Sequence, residues 1–116
     1  MQDDMLNTLR AWRSQLLKGS LELAVLLAVR RERRYGLQLV ELCRNAGLPV
    51  SDGTIYPLLS RLKSEGKVDS EWVDRESGHA HKYYRITPHG EAICQALLDG
   101  FREHTQAVER LTQETP

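Results

Sequence analysis

Met5, Leu9, Trp12 and Leu16 recur at spacings of four, three and four, which makes one narrow apolar stripe on a helix predicted from about Asp3 to Leu17. Asp3 and Asp4 stand where they favour the positive end of the helix dipole. Lys18-Gly19 supplies a stop, and Ser20 a cap for a second helix to about Glu32. "LELAVLLAV", Leu21 to Val29, is apolar on most sides, so this second helix belongs at the centre of a core. A short third helix fits Gly36 to Ala46, with Leu37, Val40 and Leu42 as expected inward positions, and Gly47 and Pro49 end and bend it. Ser51 caps a fourth helix, which closes at Gly66 and sets Ile55, Leu58, Leu59 and Leu62 inward.

After Gly66 the period changes. "VDSEWV" (Val68 to Val73) and "KYYRIT" (Lys82 to Thr87) are rich in β-branched and aromatic residues, and the polar "DRESGHAH" lies between them. The pattern predicts a β-hairpin with a polar tip. Thr87 and Pro88 then fit the cap and first position of a last helix, because proline's missing N–H is harmless there. Along that helix Cys94, Leu97, Phe101, His104, Val108 and Leu111 alternate at spacings of three and four, a heptad seam. Beyond Phe101 it outruns a domain of this size, so its seam calls for a partner helix. The fold expected is mainly α with a small β-hairpin. It comprises an N-terminal helix (1–18) contributing to a dimer, a winged helix-turn-helix (19–87) and a C-terminal dimerisation helix (88–116). Dimer contacts fall to Met5, Leu9, Leu16, Leu97, Phe101, Val108 and Leu111.

In that order of elements, the second helix of the helix-turn-helix is the one that enters a DNA major groove. Its outward residues are Thr54, Tyr56, Pro57, Ser60 and Arg61, with Ser51 at the cap and Lys63 on the flank. Arg61 suits guanine or phosphate, and the hydroxyls suit phosphates or base edges. Pro57 is tolerable because its ring sits on the wet face near the helix start. A solvated face without a ligand is the bland alternative.

Composition changes this picture only in part. Sixteen basic and sixteen acidic residues cancel, which taken alone disfavours nucleic acid and favours a winged helix used as a protein-interaction module. The charges are unevenly spread: "RRERR" (Arg30 to Arg34) and Arg61, Lys63 and Lys67 are basic, while the chain after Pro88 is acidic. Cys43 and Cys94 fit no CxxC spacing and suit small buried hydrophobes in a reducing compartment. His79 and His81 form an H-x-H pair without further ligands nearby, so no metal is expected and no cofactor. No nucleophile motif, phosphate loop or paired carboxylate indicates an enzyme. The longest apolar run holds Glu22 and is too short to span a bilayer, and no signal peptide is evident. A cytoplasmic protein is expected.

"LLKGSLELAVLLAV", "RYGLQLVELC", "GLPVSDGTIYPLLSRLKSEGKV" and "SGHAHKYYRITPHGEA" resemble the PadR family of bacterial transcriptional regulators, over roughly Leu16 to Ala92. The resemblance implies a homodimeric repressor that releases double-stranded DNA on a small-molecule or stress signal, and the two-fold symmetry of such a dimer implies a palindromic operator. The single short C-terminal helix resembles the smaller subgroup, in which the first and last helices build the dimer. Tyr35 and Gly36 match the family's "YG"; Tyr35 either approaches a phosphate or packs on the hairpin. Thr54, Tyr56 and Pro57 match its recognition-helix motif. The wing departs from a strongly basic tip, holding Asp74 and Glu76, so its DNA role falls mainly to His81 and Lys82. Trp12 and Phe101 either line a dimer cavity fit for a planar hydrophobic effector or are ordinary packing residues.

Overall fold

Gly19 does not end the first helix. The computed structural model describes residues 1–113, and its first element, α1, runs unbroken from Gln2 to Arg31. A mid-helix glycine costs only about 1 kcal/mol, and the neighbouring turns supply more than that. Ser20 is not a cap: its hydroxyl donates back to the Leu16 carbonyl at 2.8 Å, the bond a serine makes inside a helix. The expected boundary at residues 18 and 19 therefore has no break in the backbone.

The second half of α1 is the centre of the core, with Leu21, Leu23, Val25, Leu26, Ala28 and Val29 buried. Around it stand β1 (Arg34–Tyr35), α2 (Gly36–Asn45), α3 (Asp52–Ser64), β2 (Val68–Asp74), β3 (Ala80–Ile86) and α4 (Pro88–Thr112). The last three residues of the expected 88–116 helix lie outside the described residues. The chain is mainly helical, with one antiparallel three-stranded sheet in the order β1-β3-β2. That is a winged helix-turn-helix.

Gly47 and Gly66 end α2 and α3 with positive φ (102° and 74°), a backbone region that favours glycine. The buried residues of α2 are Leu39, Val40 and Cys43. Of the expected inward set only Val40 is correct; Leu37 and Leu42 are exposed. Five positions apart, those two leucines fall on different sides of a helix, whereas 39, 40 and 43 share one face. In α3, Ile55, Leu59 and Leu62 are fully buried and Leu58 is half-buried.

A tight junction ties the end of α3 to the start of α4. The Thr87 N–H donates to the Lys67 carbonyl at 3.1 Å, and its hydroxyl donates to the Gly66 carbonyl at 2.6 Å. The same hydroxyl accepts the Gly90 N–H at 2.9 Å, so Thr87 caps α4 as its sequence predicts. Gly90 lies so close that a Cβ there would strike the Lys67 carbonyl. Cys94, one turn on, is buried.

Past the core the two terminal helices run on. Every residue from Gln2 to Leu16 is exposed, as is every one from Asp99 to Gln113. The radius of gyration is 17.1 Å, against about 13 Å for a compact chain of this length. Of the fourteen exposed large hydrophobics among the described residues, eight lie on these two segments.

Candidate nucleic-acid interface

Helix α3 is anchored from beneath by Ile55, Leu59 and Leu62, so its opposite side must face solvent. Helical spacing sets Gly53, Pro57, Ser60 and Ser64 outermost, all small or compact and all exposed. The carbonyl four residues before Pro57, which lacks its usual donor, belongs to solvent-exposed Gly53. Ser51 occupies the cap position, but its hydroxyl meets the Thr54 hydroxyl at 3.0 Å instead of a backbone N–H.

Two flanks border this outer face, and they differ. On one, the Tyr56 ring covers the start of α2, where a Cβ on Gly36 would collide with it. Tyr56 remains 45% exposed. Burial pushes the Tyr84 phenol of β3 up from its ordinary value, and the nearby Tyr56 adds to that rise. Lys63 is exposed and has no acidic partner among the described residues. This packing of Tyr56 accounts for the glycine of the "YG" pair, which sequence reasoning left without a cause.

On the other flank Thr54, Pro57, Leu58 and Arg61 line an open groove of about 790 Å³, closed on its other sides by Lys18 to Leu23 of α1 and by α4. Arg61 was expected to face DNA, but its guanidinium is turned to carboxylates. One nitrogen donates to Glu22 of α1 at 2.8 Å and the other to Glu65 at 3.0 Å. Lys67 completes the cluster at 2.9 Å from both Glu22 and Glu65. Burial pushes the Glu22 carboxyl up, but hydrogen bonds from Lys67 and Arg61 outweigh it and hold the group below its ordinary value. Thr54, Pro57 and Arg61 thus form the wall of a groove, and Tyr56 lies on the opposite flank.

The hairpin separates His81 from Lys82. Adjacent strand residues point to opposite faces. The His81 ring packs against that of Tyr35 at a tilt of 47° with ring centroids 4.4 Å apart, and Tyr83 meets Tyr35 edge-on at 5.3 Å. Tyr35 therefore packs on the hairpin, the second of its two expected roles. The Lys82 ammonium sits on the other face, 5.8 Å from the centre of the Tyr84 ring.

The "RRERR" cluster is largely spent on structure. Arg30 pairs with Glu91 and donates to Gln95 of α4, Arg33 pairs with Glu71, and Arg34 donates to the Ala28 carbonyl at 2.6 Å. Trp12 and Phe101 line one smaller groove of about 300 Å³ between α1 and α4, continuous with the larger one through Gly19, Ser20, Phe101 and His104. The two aromatics come together within a single chain, without a second copy. Cys43 and Cys94 are buried free thiols, and burial pushes both up from their ordinary value. Among the described residues no cluster of His, Cys, Asp and Glu could hold a metal ion, and no helix is long and apolar enough to cross a membrane.

The sequence profile of the transcriptional regulator PadR-like family matches residues 25–96. The chain is 37% identical over 82 residues to the transcriptional regulator Rv3488 of Mycobacterium tuberculosis, covering 69% of this chain and 67% of that one. Its structure is similar to the crystal structure of a PadR family transcriptional regulator from Eggerthella lenta (TM-score 0.83, 31% identity, 98% and 97% of the two chains). It is also similar to that of a PadR-like transcriptional regulator from Bacillus cereus (TM-score 0.77, 31% identity, 87% and 99%).

Proposed function

The chain belongs to the PadR-like family of transcriptional regulators, and on that premise we propose that it is a cytoplasmic, homodimeric repressor of a palindromic operator. The observation that carries the reading is the make-up of α3: three fully buried anchors beneath, and an outer face of Gly53, Pro57, Ser60 and Ser64 that lets a duplex approach closely. Tyr56 and Lys63 border that face and supply a hydroxyl and a cation for phosphates or base edges. Arg61, held by two carboxylates, is a groove residue in this reading and not a base reader. The arms of α1 and α4 pair with those of a second copy, covering Met5, Leu9, Leu16, Leu97, Val108 and Leu111. A two-fold dimer implies half-sites about one DNA turn apart or a multiple of it.

Release follows from the groove. A planar hydrophobic effector seated between α1 and α4 touches Phe101 and Trp12 on the arms and Thr54, Pro57 and Leu58 on α3. It therefore bears on the dimer helices and the recognition helix together.

The test is selection of duplexes from a random pool by the wild-type protein, followed by binding at several salt concentrations. Lys63→Ala is expected to weaken selected and scrambled duplexes alike and to lower the salt slope by about one. If the wild type enriches no duplex, the winged helix is a protein-interaction module, the reading that zero net charge favours.

A further inference from the structure

Trp72 is the most exposed large hydrophobic off the arms, at 69%, and nothing described so far uses it. It is not on a loose tip. Trp72 pairs with Lys82 across the hairpin, and one further rung on the same face, Asp74 with Ala80, lies beyond it. The indole is therefore held on a hydrogen-bonded ladder.

Its face of the hairpin is informative. Alternation puts Val68 and Ile86, Ser70 and Tyr84, and Trp72 and Lys82 on one side of the β2-β3 pair. At its inner end this side is core: Val68 is fully buried and Tyr84 is 6% exposed, beside Tyr56 of α3. Moving outward, the Lys82 ammonium leans back over the Tyr84 ring, and Trp72 stands opposite it, free on its outer side. One strip thus runs from Tyr56 of the recognition helix through Tyr84 and Lys82 to Trp72. Each pair of rungs advances it by about 7 Å.

We propose that Trp72 is the wing's DNA contact, lying against deoxyribose at the edge of the minor groove that flanks the site read by α3. An indole suits that position because it offers a flat apolar face to the sugars and one N–H to a phosphate or groove acceptor. Minor-groove binders place apolar side chains such as Phe, Leu and Met in that groove, there inserted between base steps. Lys82, between Trp72 and α3, meets the intervening phosphate. His81 and the charged tip lie on the other face or beyond the ladder, so the wing's contact comes from the Trp72–Lys82 face of the strands and not from the charged tip. The assignment rests on the DNA-binding reading of α3.

The probe is the duplex that the wild-type protein enriches from a random pool. Trp72→Ala is expected to bind it about tenfold more weakly at an unchanged melting temperature. Trp72→Phe, which keeps a flat ring, is expected to lose less. Saturating duplex is expected to quench the tryptophan emission of the wild type and to leave that of Trp72→Phe, which retains only Trp12, unchanged. An affinity of Trp72→Ala within twofold of wild type, or wild-type emission that ignores the duplex, overturns the assignment while α3 keeps its role. If the wild type enriches no duplex, the reading of α3 has failed first and that of Trp72 goes with it.

Discussion

The two halves of α1 share one unbroken helical backbone and both carry apolar side chains, and they have opposite fates. Leu21 to Val29 is enclosed by α2, α3, the sheet and the start of α4, whereas Gln2 to Leu16 touches almost nothing. The same division recurs in α4, where Cys94 is buried and Phe101, Val108 and Leu111 are exposed. Periodicity tells which face of a helix is apolar, but what covers that face depends on the rest of the fold. The body, roughly residues 21 to 94, is satisfied by its own chain, and the arms are left exposed by it.

The strongest test of that division is to charge an arm. Val108→Asp with Leu111→Asp is expected to convert a dimer to monomers by light scattering. DNA binding then falls by at least about 100-fold, because two half-sites are no longer engaged through one molecule. A variant that stays dimeric breaks the comparison. A body substitution should behave differently. Gly36→Ala drives a Cβ into the Tyr56 ring and is expected to cost about 1–3 kcal/mol in denaturant unfolding, with the oligomeric state unchanged. Adding Tyr56→Ala removes the collision, so the double variant should lose less than the sum of the two. Additive losses place the ring elsewhere.

The smallest effect is expected at Glu22, where arm becomes body. Its carboxyl is held below the ordinary 4.5 by Lys67 and Arg61 after burial has pushed it up. A carboxyl lowered in the folded state stabilises the fold above its unfolded value, and that contribution disappears as pH falls through the folded value. Glu22→Gln is therefore expected to cost less than about 1 kcal/mol at neutral pH, given the partial exposure of the cluster. The gap from wild type should close as unfolding is measured at pH values falling below 4.5. A gap that persists in acid assigns the loss to packing.

Much of this was legible in the residues. The change of period at Gly66, the stops at Gly47 and Gly66, and Thr87-Pro88 each depend on local backbone chemistry, and each is where the sequence puts it. What was not legible depends on neighbours distant in sequence. Gly19 and Ser20 look like a stop and a cap, but a long helix with packing on its far side absorbs both. Arg61 looks outward in a helical projection, and only the passage of α1 beside α3 reveals Glu22 within reach. Leu37 and Leu42 were judged by residue type where spacing should have decided. Tyr56 and Gly36 are twenty positions apart, so neither alone hints that one exists to admit the other.

The junction at Thr87 has a mechanical consequence. Because the carbonyls of Gly66 and Lys67 are bonded to Thr87, and Gly90 is seated against Lys67, the exit of α3 and the entry of α4 form one stiff joint. Helix α4 is 25 residues long, a rod of about 37 Å. A rod fixed at one end converts a small angle into a large displacement: tilting it by about 5° moves its far end by about 3 Å, the scale of the helix shifts seen in switching proteins. In the proposed dimer, a change in the angle at which two such rods cross is not absorbed at the joint and swings each α3 bodily. The separation of the two α3 helices is then geared to the crossing angle of α4 and its partner.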